Sequence, residues 1–218
     1  MYTLNLADYQ SAFQTQTLFL GTLRISSGQL LLCDPFIAPY ESPLPFLHPV
    51  PCGEFKVEAA IKRFDNGDKR IAYVRVVFRE EPIGYMEMGV TDESLYESFE
   101  ADEFTGAISE TGYLALSDAK ALNALPAPQN QKACELYEQQ LDTALAATHV
   151  NTYRHTSFTP APKSQKSPQH PPKTHPFIAF TAGWGEGLYP LFFGYTHEPQ
   201  EDESLLPVCA VIALRLED

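Results

Sequence analysis

Basic residues are scarce in this chain, and their scarcity excludes a large class of partners. The 218 residues hold 15 Lys and Arg against 28 Asp and Glu, which gives a formal net charge of −13. Nucleic-acid binding depends on clustered cations that displace counterions from phosphates, so we predict no nucleic-acid partner. The hydrophobic fraction of 44% and the aromatic fraction of 12% are too high for a disordered acidic tail. The composition therefore predicts a folded acidic protein.

Long apolar runs and paired cysteines are also missing. The runs at 30–33 and 188–194 are too short to cross a bilayer, and the first ten residues lack the basic and apolar regions of a secretory signal. The four cysteines stand apart from one another: Cys33, Cys52, Cys134 and Cys209. None forms a CxxC pair or has a histidine at a zinc-ligand spacing. We expect reduced, mostly buried thiols, no membrane association and a cytoplasmic location.

Frequent turn residues predict short strands rather than long helices. The chain holds 18 prolines and 12 glycines, and its apolar runs are separated by Gly, Asn or Asp turns. Residues 18–34 predict a hairpin around a Ser-Ser-Gly turn, and residues 53–78 predict a second one. The prolines of residues 35–51 predict an ordered loop or an edge strand. Later strands are predicted at 177–181, 188–195 and 208–216.

Helical periodicity is confined to three segments. These are residues 5–16 behind an Asn5 cap, residues 117–125 behind a Ser117 cap, and residues 131–149. Together with the strands they predict an α+β fold, a mainly antiparallel β-sheet or sandwich with about three helices, as a single domain over residues 1–218. Residues 157–176 hold six prolines and three lysines, so they predict an exposed loop within that domain.

A block of acidic residues lies between Glu80 and Glu110. It holds ten acids and no Lys or Arg. Such a block can be a solvated face that maintains solubility, or a surface that attracts a basic partner. The basic residues lie elsewhere, partly in the second hairpin and partly in the proline-rich loop, and this separation of signs favours a partner surface. Aromatic residues among the acids can act as anchors. The predicted partner-binding residues are Asp92, Glu93, Glu97, Glu100, Asp102, Glu103, Tyr96, Phe99, Trp184 and Glu186.

The glycine-rich segment at residues 183–187 follows a predicted strand. A phosphate-binding loop would need a helix after it, whereas an aromatic run with a proline follows here, and Glu186 would repel phosphate. The segment therefore predicts a tight turn between strands. Its tryptophan, Trp184, is the only one in the chain, and it can be a core residue or an exposed contact.

Catalytic and metal-binding patterns are weak. The carboxylates considered as metal or acid–base groups are Asp34, Asp118, Glu186, Asp65 and Asp68. No calcium-loop pattern joins them, and Asp34 and Asp118 have the placement of turn or cap residues. We predict no metal and no cofactor. The six histidines lie mostly in predicted loops, without a GxSxG motif, and a Cys–His pair that meets only in space is left open.

The order of several short motifs carries a family resemblance. The motifs are a glycine in the first strand (Gly21), Ser27-Gly28, Asp34-Pro35, Pro51-Cys52-Gly53-Glu54-Phe55-Lys56-Val57, a strand headed by Arg70, and Gly183-Trp184-Gly185-Glu186-Gly187-Leu188-Tyr189 with Gly194. In this order the chain resembles the bacterial DUF4241 family, a family without a known function, from residue 18 to about residue 216. The resemblance implies a β-rich single domain and no particular reaction.

Two positions depart from the family pattern. The central family element reads Val-Asp-Ala-Gly before a distant Asp, and residues 105–112 stand in its place here, with Asp118 downstream. Glu186 replaces the usual Asp of the late motif. If members of the family use these carboxylates in a reaction, both changes put that reaction in doubt for this chain.

Three functions remain open at this point. The leading one is an acidic cytoplasmic immunity or antitoxin-type protein that masks a basic toxin, with a nuclease as the most natural target. The second is a metal-dependent enzyme that uses Asp34, Asp118 or Glu186. The third is a regulatory scaffold that docks a partner through the proline-rich loop. An enzyme is the less favoured class because no persuasive catalytic set is visible in the sequence.

Overall fold

The computed structural model describes residues 4–92, 105–148, 152–160, 175–200 and 204–214. These residues form two α-helices, α1 (Leu6–Thr15) and α2 (Gln131–Ala146), and a 3₁₀ helix (Ala119–Ala124). They also form twelve strands: β1 (Thr17–Ile25), β2 (Leu30–Cys33), β3 (Gly53–Arg63), β4 (Lys69–Val77), β5 (Tyr85–Met88), β6 (Ala107–Ser109), β7 (Tyr113–Asp118), β8 (His155–Phe158), β9 (Phe177–Thr181), β10 (Gly187–Tyr189), β11 (Leu191–Tyr195) and β12 (Cys209–Ala213).

The strands form three antiparallel sheets. Six strands are arranged in the order β1-β3-β4-β12-β11-β5, and four are arranged as β2-β7-β9-β8. A short two-stranded ribbon joins β6 to β10. All of the strand pairs are antiparallel, which confirms the predicted α+β class with mainly antiparallel sheet.

The main core lies between the six-stranded and four-stranded sheets. Leu23, Val57 and Val74 project into it from the larger sheet. Leu116 and Ile178 meet them from the smaller sheet, and all five side chains are buried. Burial of this apolar surface between two sheets is the main stabilising contribution in a β-sandwich.

Helices cover the outer face of each sheet. Tyr137 and Leu141 of α2 pack on Phe177 of the four-stranded sheet, while Tyr9 of α1 belongs to a cluster with Val211 of the six-stranded sheet. The central strands are therefore buried on both faces. This explains why β11 and β12 have every residue buried and lack the alternation of a half-exposed strand.

One of the two predicted hairpins is confirmed and the other is wrong. Strands β3 and β4 pair across the turn at residues 64–68, as expected. Strand β1, however, pairs with β3, whereas β2 pairs with β7 in the other sheet. The Ser-Ser-Gly turn therefore carries the chain across the core from one sheet to the other. Turn residues indicate a chain reversal both in a hairpin and in a connection between two sheets. Which strand pairs with which is decided by contacts with distant parts of the sequence.

The predicted helix positions are correct, with changes at their ends. The Asn5 side chain caps α1 by accepting the N–H groups of Ala7 and Asp8. The predicted Ser117 cap is wrong, because Asp118 caps the 3₁₀ helix and Ser117 belongs to β7. Helix α2 ends at Ala146 rather than near residue 149. The predicted proline-rich loop begins within β8, and its residues 161–174 lie outside the described structure.

The cysteines are unpaired thiols, as predicted. Cys33, Cys134 and Cys209 are buried, and Cys52 is exposed. Burial and the neighbouring charge of Asp34 raise the pKa of the Cys33 thiol, which makes it a poor nucleophile. Within the described ranges, no helix is both long enough and apolar enough to span a membrane.

Candidate functional site

The predicted partner-binding residues divide into two groups. Asp92, Trp184 and Glu186 lie in the described structure, and all three are exposed. The other seven lie outside the described residues: Glu93, Glu97, Glu100, Asp102, Glu103, Tyr96 and Phe99. The described residues next to this segment of the acid block are Asp92 before it and Thr105 after it.

A groove of about 270 Å³ is lined by residues next to these two. Thr91 precedes Asp92, Gly106 follows Thr105, and both line the groove. Apolar side chains, including Leu44 and Ile108, form part of its wall. Three carboxylates also line it: Asp34, Glu41 and Glu110. Its described lining contains no Lys or Arg. We call this feature the acidic groove.

Asp34 is the buried carboxylate of the acidic groove, and it organises the groove floor. It accepts backbone N–H groups from Phe36 at 3.0 Å, Glu110 at 2.9 Å and Thr111 at 2.8 Å. It also accepts the Thr111 hydroxyl at 2.8 Å. This confirms the predicted turn role of Asp34, because its oxygens bind backbone donors. The same bonds hold Glu110 at the rim of the groove, joining the corner after β2 to the turn after β6.

The β6–β10 ribbon extends the acidic groove outward. Ile108 lies opposite Leu188, and their side chains are 62% and 37% exposed. The next pair is Ser109 and Gly187. Glu110 comes directly after Ser109, Glu186 comes directly before Gly187, and both glutamates are exposed. The ribbon thus presents two neighbouring apolar side chains beside two carboxylates. Exposed apolar groups set next to charge are typical of a protein-binding surface.

The predicted tight turn between β9 and β10 is confirmed, and Trp184 is an exposed residue rather than a core residue. The side chain of Trp184 is 52% exposed. The Arg70 guanidinium lies 4.3 Å from the centre of its ring, and Arg70 Nη1 donates to the Gly183 carbonyl at 3.1 Å. A Cβ atom on Gly112 would lie 3.5 Å from the Gly185 Cα, so this turn packs against the one that follows Glu110.

Some groove residues escaped the sequence analysis. Glu41 and Leu44 lie in the proline-rich segment that was treated only as a loop or an edge strand. Ile108 stands in a three-residue strand that is too short to give a periodic signal. The one sequence signal that could have identified Glu41 and Leu44 is an acidic residue and a leucine among closely spaced prolines. These residues meet Ile108 only because strands distant in the sequence pair with one another.

Asp118 is a second buried carboxylate, and it accepts three backbone N–H groups. The donors are Ser27 at 2.8 Å, Lys120 at 2.6 Å and Ser26. Burial acts to raise the pKa of Asp118, but these hydrogen bonds and the nearby His175 outweigh it and leave the pKa below its ordinary value. Asp118 is therefore ionised, and its predicted cap role is confirmed.

The candidate metal ligands do not converge in the described structure. Within those residues there is no group of three or more His, Cys, Asp or Glu side chains able to hold a metal ion. Asp34 and Asp118 direct their oxygens to N–H donors, and Asp68 binds the Arg70 guanidinium at 2.8 Å.

Comparison with known families returns one match over most of the chain. Residues 23–201 match a family described as a protein of unknown function (DUF4241). The chain belongs to the DUF4241 family. No curated protein and no solved structure matches it.

The motifs that carry the DUF4241 resemblance meet one another in the fold. The Ser27-Gly28 turn contacts Asp118, and Asp34 contacts the turn at residues 110–112. Arg70, at the head of β4, contacts the late glycine motif through Gly183 and Trp184. These motifs are therefore contact points between distant segments of this DUF4241 chain, and they hold both the acidic groove and the Ser26 turn in place.

Proposed function

We propose that this DUF4241 protein is an acidic cytoplasmic binding protein that covers a basic surface on a protein partner. The role we propose is that of an immunity or antitoxin-type inhibitor, and the partner is a basic toxin. A nuclease domain is the first class to consider, because a site that holds phosphates is electropositive. The observation that carries this proposal is that Thr91, Gly106 and Glu110 of the acid block line the acidic groove together with Asp34 and Glu41.

Charge supports a basic partner. Residues 93–104 contain five acids and no base, and the acidic groove adds Glu41 and Glu110. Clustered charge of one sign steers an oppositely charged protein and raises its association rate, an effect that salt screens over about 10 Å at 0.1 M. A surface needed only for solubility would serve equally well with mixed charges.

Apolar groups support a protein partner rather than a small cation. Leu44 and Ile108 line the acidic groove and are 58% and 62% exposed. Leu188 and Trp184 extend this exposed apolar surface along the ribbon and its preceding turn. Large apolar side chains surrounded by charge are the usual anchors of protein interfaces. Their burial contributes binding free energy, and the charges select the partner.

The two alternatives remain predictions. The metal-dependent enzyme would use Asp34, Asp118 or Glu186, of which the first two bind backbone N–H groups in the described structure. The regulatory scaffold would dock through the proline-rich loop, most of which lies outside the described residues. Neither has a described contact that favours it over the acidic groove.

The test is a comparison of two charge-reversal variants with equal net charge. In the groove variant Glu41 and Glu110 are changed to Lys, and in the control Glu54 and Glu135, which are exposed and outside the groove, are changed to Lys. Each purified protein is immobilised, exposed to lysate of the source cells, and the captured proteins are quantified at low and high salt. The captured toxin is then assayed for activity with each variant added.

We expect the unmodified protein and the control to retain the same basic protein, to release it at high salt and to inhibit its activity. The groove variant should bind it at least tenfold more weakly, because each reversal replaces attraction with repulsion. A partner that the groove variant retains and inhibits as well as the control does would refute the proposal. So would a partner without a basic surface.

A further inference from the structure

A second group of reactive side chains lies at the turn between β1 and β2. The turn begins at Ser26, whose side chain is exposed. Ser26 Oγ lies 3.4 Å from Nε2 of His175, although the two residues are 149 positions apart. This separation is long for a hydrogen bond, but nucleophile–base pairs are often this loose before substrate binds. A serine hydroxyl that faces an imidazole nitrogen is the basic unit of nucleophilic catalysis.

Among the described residues, the other ring nitrogen of His175 faces acceptors. Nδ1 lies 3.3 Å from the carbonyl oxygen of Arg24 and 3.7 Å from Oδ2 of Asp118. An acceptor cannot satisfy an unprotonated nitrogen, so the neutral ring carries its proton on Nδ1. Nε2 is then left as an acceptor, directed at the Ser26 hydroxyl. This is the tautomer that a general base requires.

Asp118 places a negative charge 3.7 Å from that imidazole. Its side chain is fully buried and is fixed by three backbone N–H groups, two of them from Ser26 and Ser27 on the same turn. Its depressed pKa keeps it charged, so it stabilises the imidazolium that forms when His175 takes a proton. Ser117, the preceding residue, donates its hydroxyl to the Pro176 carbonyl at 2.8 Å, which anchors the chain next to His175.

Lys120 completes the group. Its Nζ lies 3.0 Å from the Ser26 carbonyl oxygen and 3.3 Å from Ser26 Oγ. Because the ammonium only donates, Oγ accepts from it, and the hydroxyl proton is free to point at His175 Nε2. A fixed positive charge beside the nucleophile also stabilises negative charge that develops on a substrate oxygen near it.

We propose that Ser26 is an acyl-accepting nucleophile, that His175 is its general base, and that this site hydrolyses carboxylic esters. The Arg24 carbonyl positions the His175 ring, Asp118 supplies the negative charge that stabilises its protonated form, and Lys120 supplies positive charge to the oxyanion. The site goes beyond the proposed partner binding and does not depend on it. It lies before β2 in the chain, whereas Asp34 of the acidic groove follows β2.

The reaction follows from these roles. Ser26 Oγ attacks the ester carbonyl carbon while its proton passes to His175 Nε2, and the Oγ–C bond forms. The C–O bond to the alcohol then breaks, and His175 returns the proton to the departing alcohol. Water, deprotonated by His175, attacks the acyl group, the Oγ–C bond breaks, and Ser26 recovers its proton. Ester and water give acid and alcohol, so no oxidant or further reactant is needed.

A purely structural role would use the same Asp118 contacts to pin the turn, so the test must measure reactivity. The intact protein is treated with a fluorophosphonate probe, which forms a stable Oγ–P bond with loss of fluoride when a serine is activated by a base. Peptide mass mapping locates the adduct, and the labelling rate is measured for the unmodified chain, Ser26→Ala, and His175→Gln. Ser42→Ala and His155→Gln are the matched serine and histidine controls, and circular dichroism checks that each variant is folded.

We expect one adduct, on Ser26, that is lost in Ser26→Ala. Labelling should be at least about 100-fold slower in His175→Gln, which is the lower range for removal of a general base. Both controls should label at the unmodified rate. Absence of a Ser26 adduct, or a folded His175→Gln protein that labels at the unmodified rate, overturns the proposal.

A second measurement does not depend on any substitution. Nitrogen NMR of the imidazole reports which ring nitrogen carries the proton in the neutral form. We expect Nδ1–H for His175, since Arg24 and Asp118 both offer acceptors to that atom. A neutral ring protonated on Nε2 would leave no acceptor for the Ser26 proton and would overturn the assignment of His175 as the base.

Discussion

Leu30 lies directly opposite Asp118 in the antiparallel pair of β2 and β7. The Asp118 side chain therefore holds the turn that precedes β2, while Asp34, one residue past Cys33, holds the corner that follows it. A strand of four residues is thus fixed at each end by a buried carboxylate that accepts backbone N–H groups. The Ser26 site lies at one end of this strand and the acidic groove at the other.

Removal of the Asp34 side chain should destabilise the fold. Asp34→Ala leaves the N–H groups of Glu110 and Thr111 without their acceptor, and each lost bond to a charged group costs about 1.5–3 kcal/mol. We expect the free energy of unfolding to fall by about 3 kcal/mol or more in urea denaturation. Thr111→Val, which removes only the hydroxyl donor, should cost about 1 kcal/mol. Equal losses for the two variants would contradict the backbone role of Asp34.

The Asp118 carboxylate should make stability depend on pH in the acid range. Its pKa is lower in the folded chain than its ordinary value of 3.8, so its contribution is complete above that value and disappears as pH falls through the folded pKa. Asp118→Asn should therefore be less stable than the unmodified chain at neutral pH. The difference should shrink on acidification below 3.8. Denaturant unfolding over a pH series measures this, and a constant difference would contradict it.

Much of the fold could be predicted from the sequence because local signals decide it. The β3–β4 hairpin has alternating apolar residues around an Asp-Asn-Gly-Asp turn, and α2 has a regular apolar stripe, so both predictions were correct. The β1–β2 segment has equally good local signals, yet the prediction of a hairpin was wrong. Its strands find their partners in β3 and β7, and no local pattern encodes that choice.

The sites were less predictable for the same reason. Asp34 and Asp118 were correctly identified as turn or cap residues, since Asp before Pro and Asp before a short helix are local signals. The approach of His175 to Ser26 depends on the antiparallel pairing of β7 with β9, which brings the residues before β9 to the end of β7. In the sequence His175 is one of six histidines, next to a proline-rich segment that has no helical or strand periodicity.

Arg70 should control the turn that carries Trp184. Its guanidinium stacks on the indole at 4.3 Å and donates to the Gly183 carbonyl, contacts worth about 1–2 kcal/mol together at this half-exposed position. Because Trp184 is the only tryptophan, its fluorescence reports this turn alone. Arg70→Ala should shift the emission toward that of free indole in water and lower stability by at least that amount, because it also removes the bond to Asp68. Arg70→Lys, which retains charge without the planar fork, should give an intermediate shift.

Arg63→Ala, which loses a surface bond to Gln16, is the control and should leave the emission unchanged. An unchanged spectrum in Arg70→Ala would show that Trp184 is held by Phe64 and the glycine turn without Arg70.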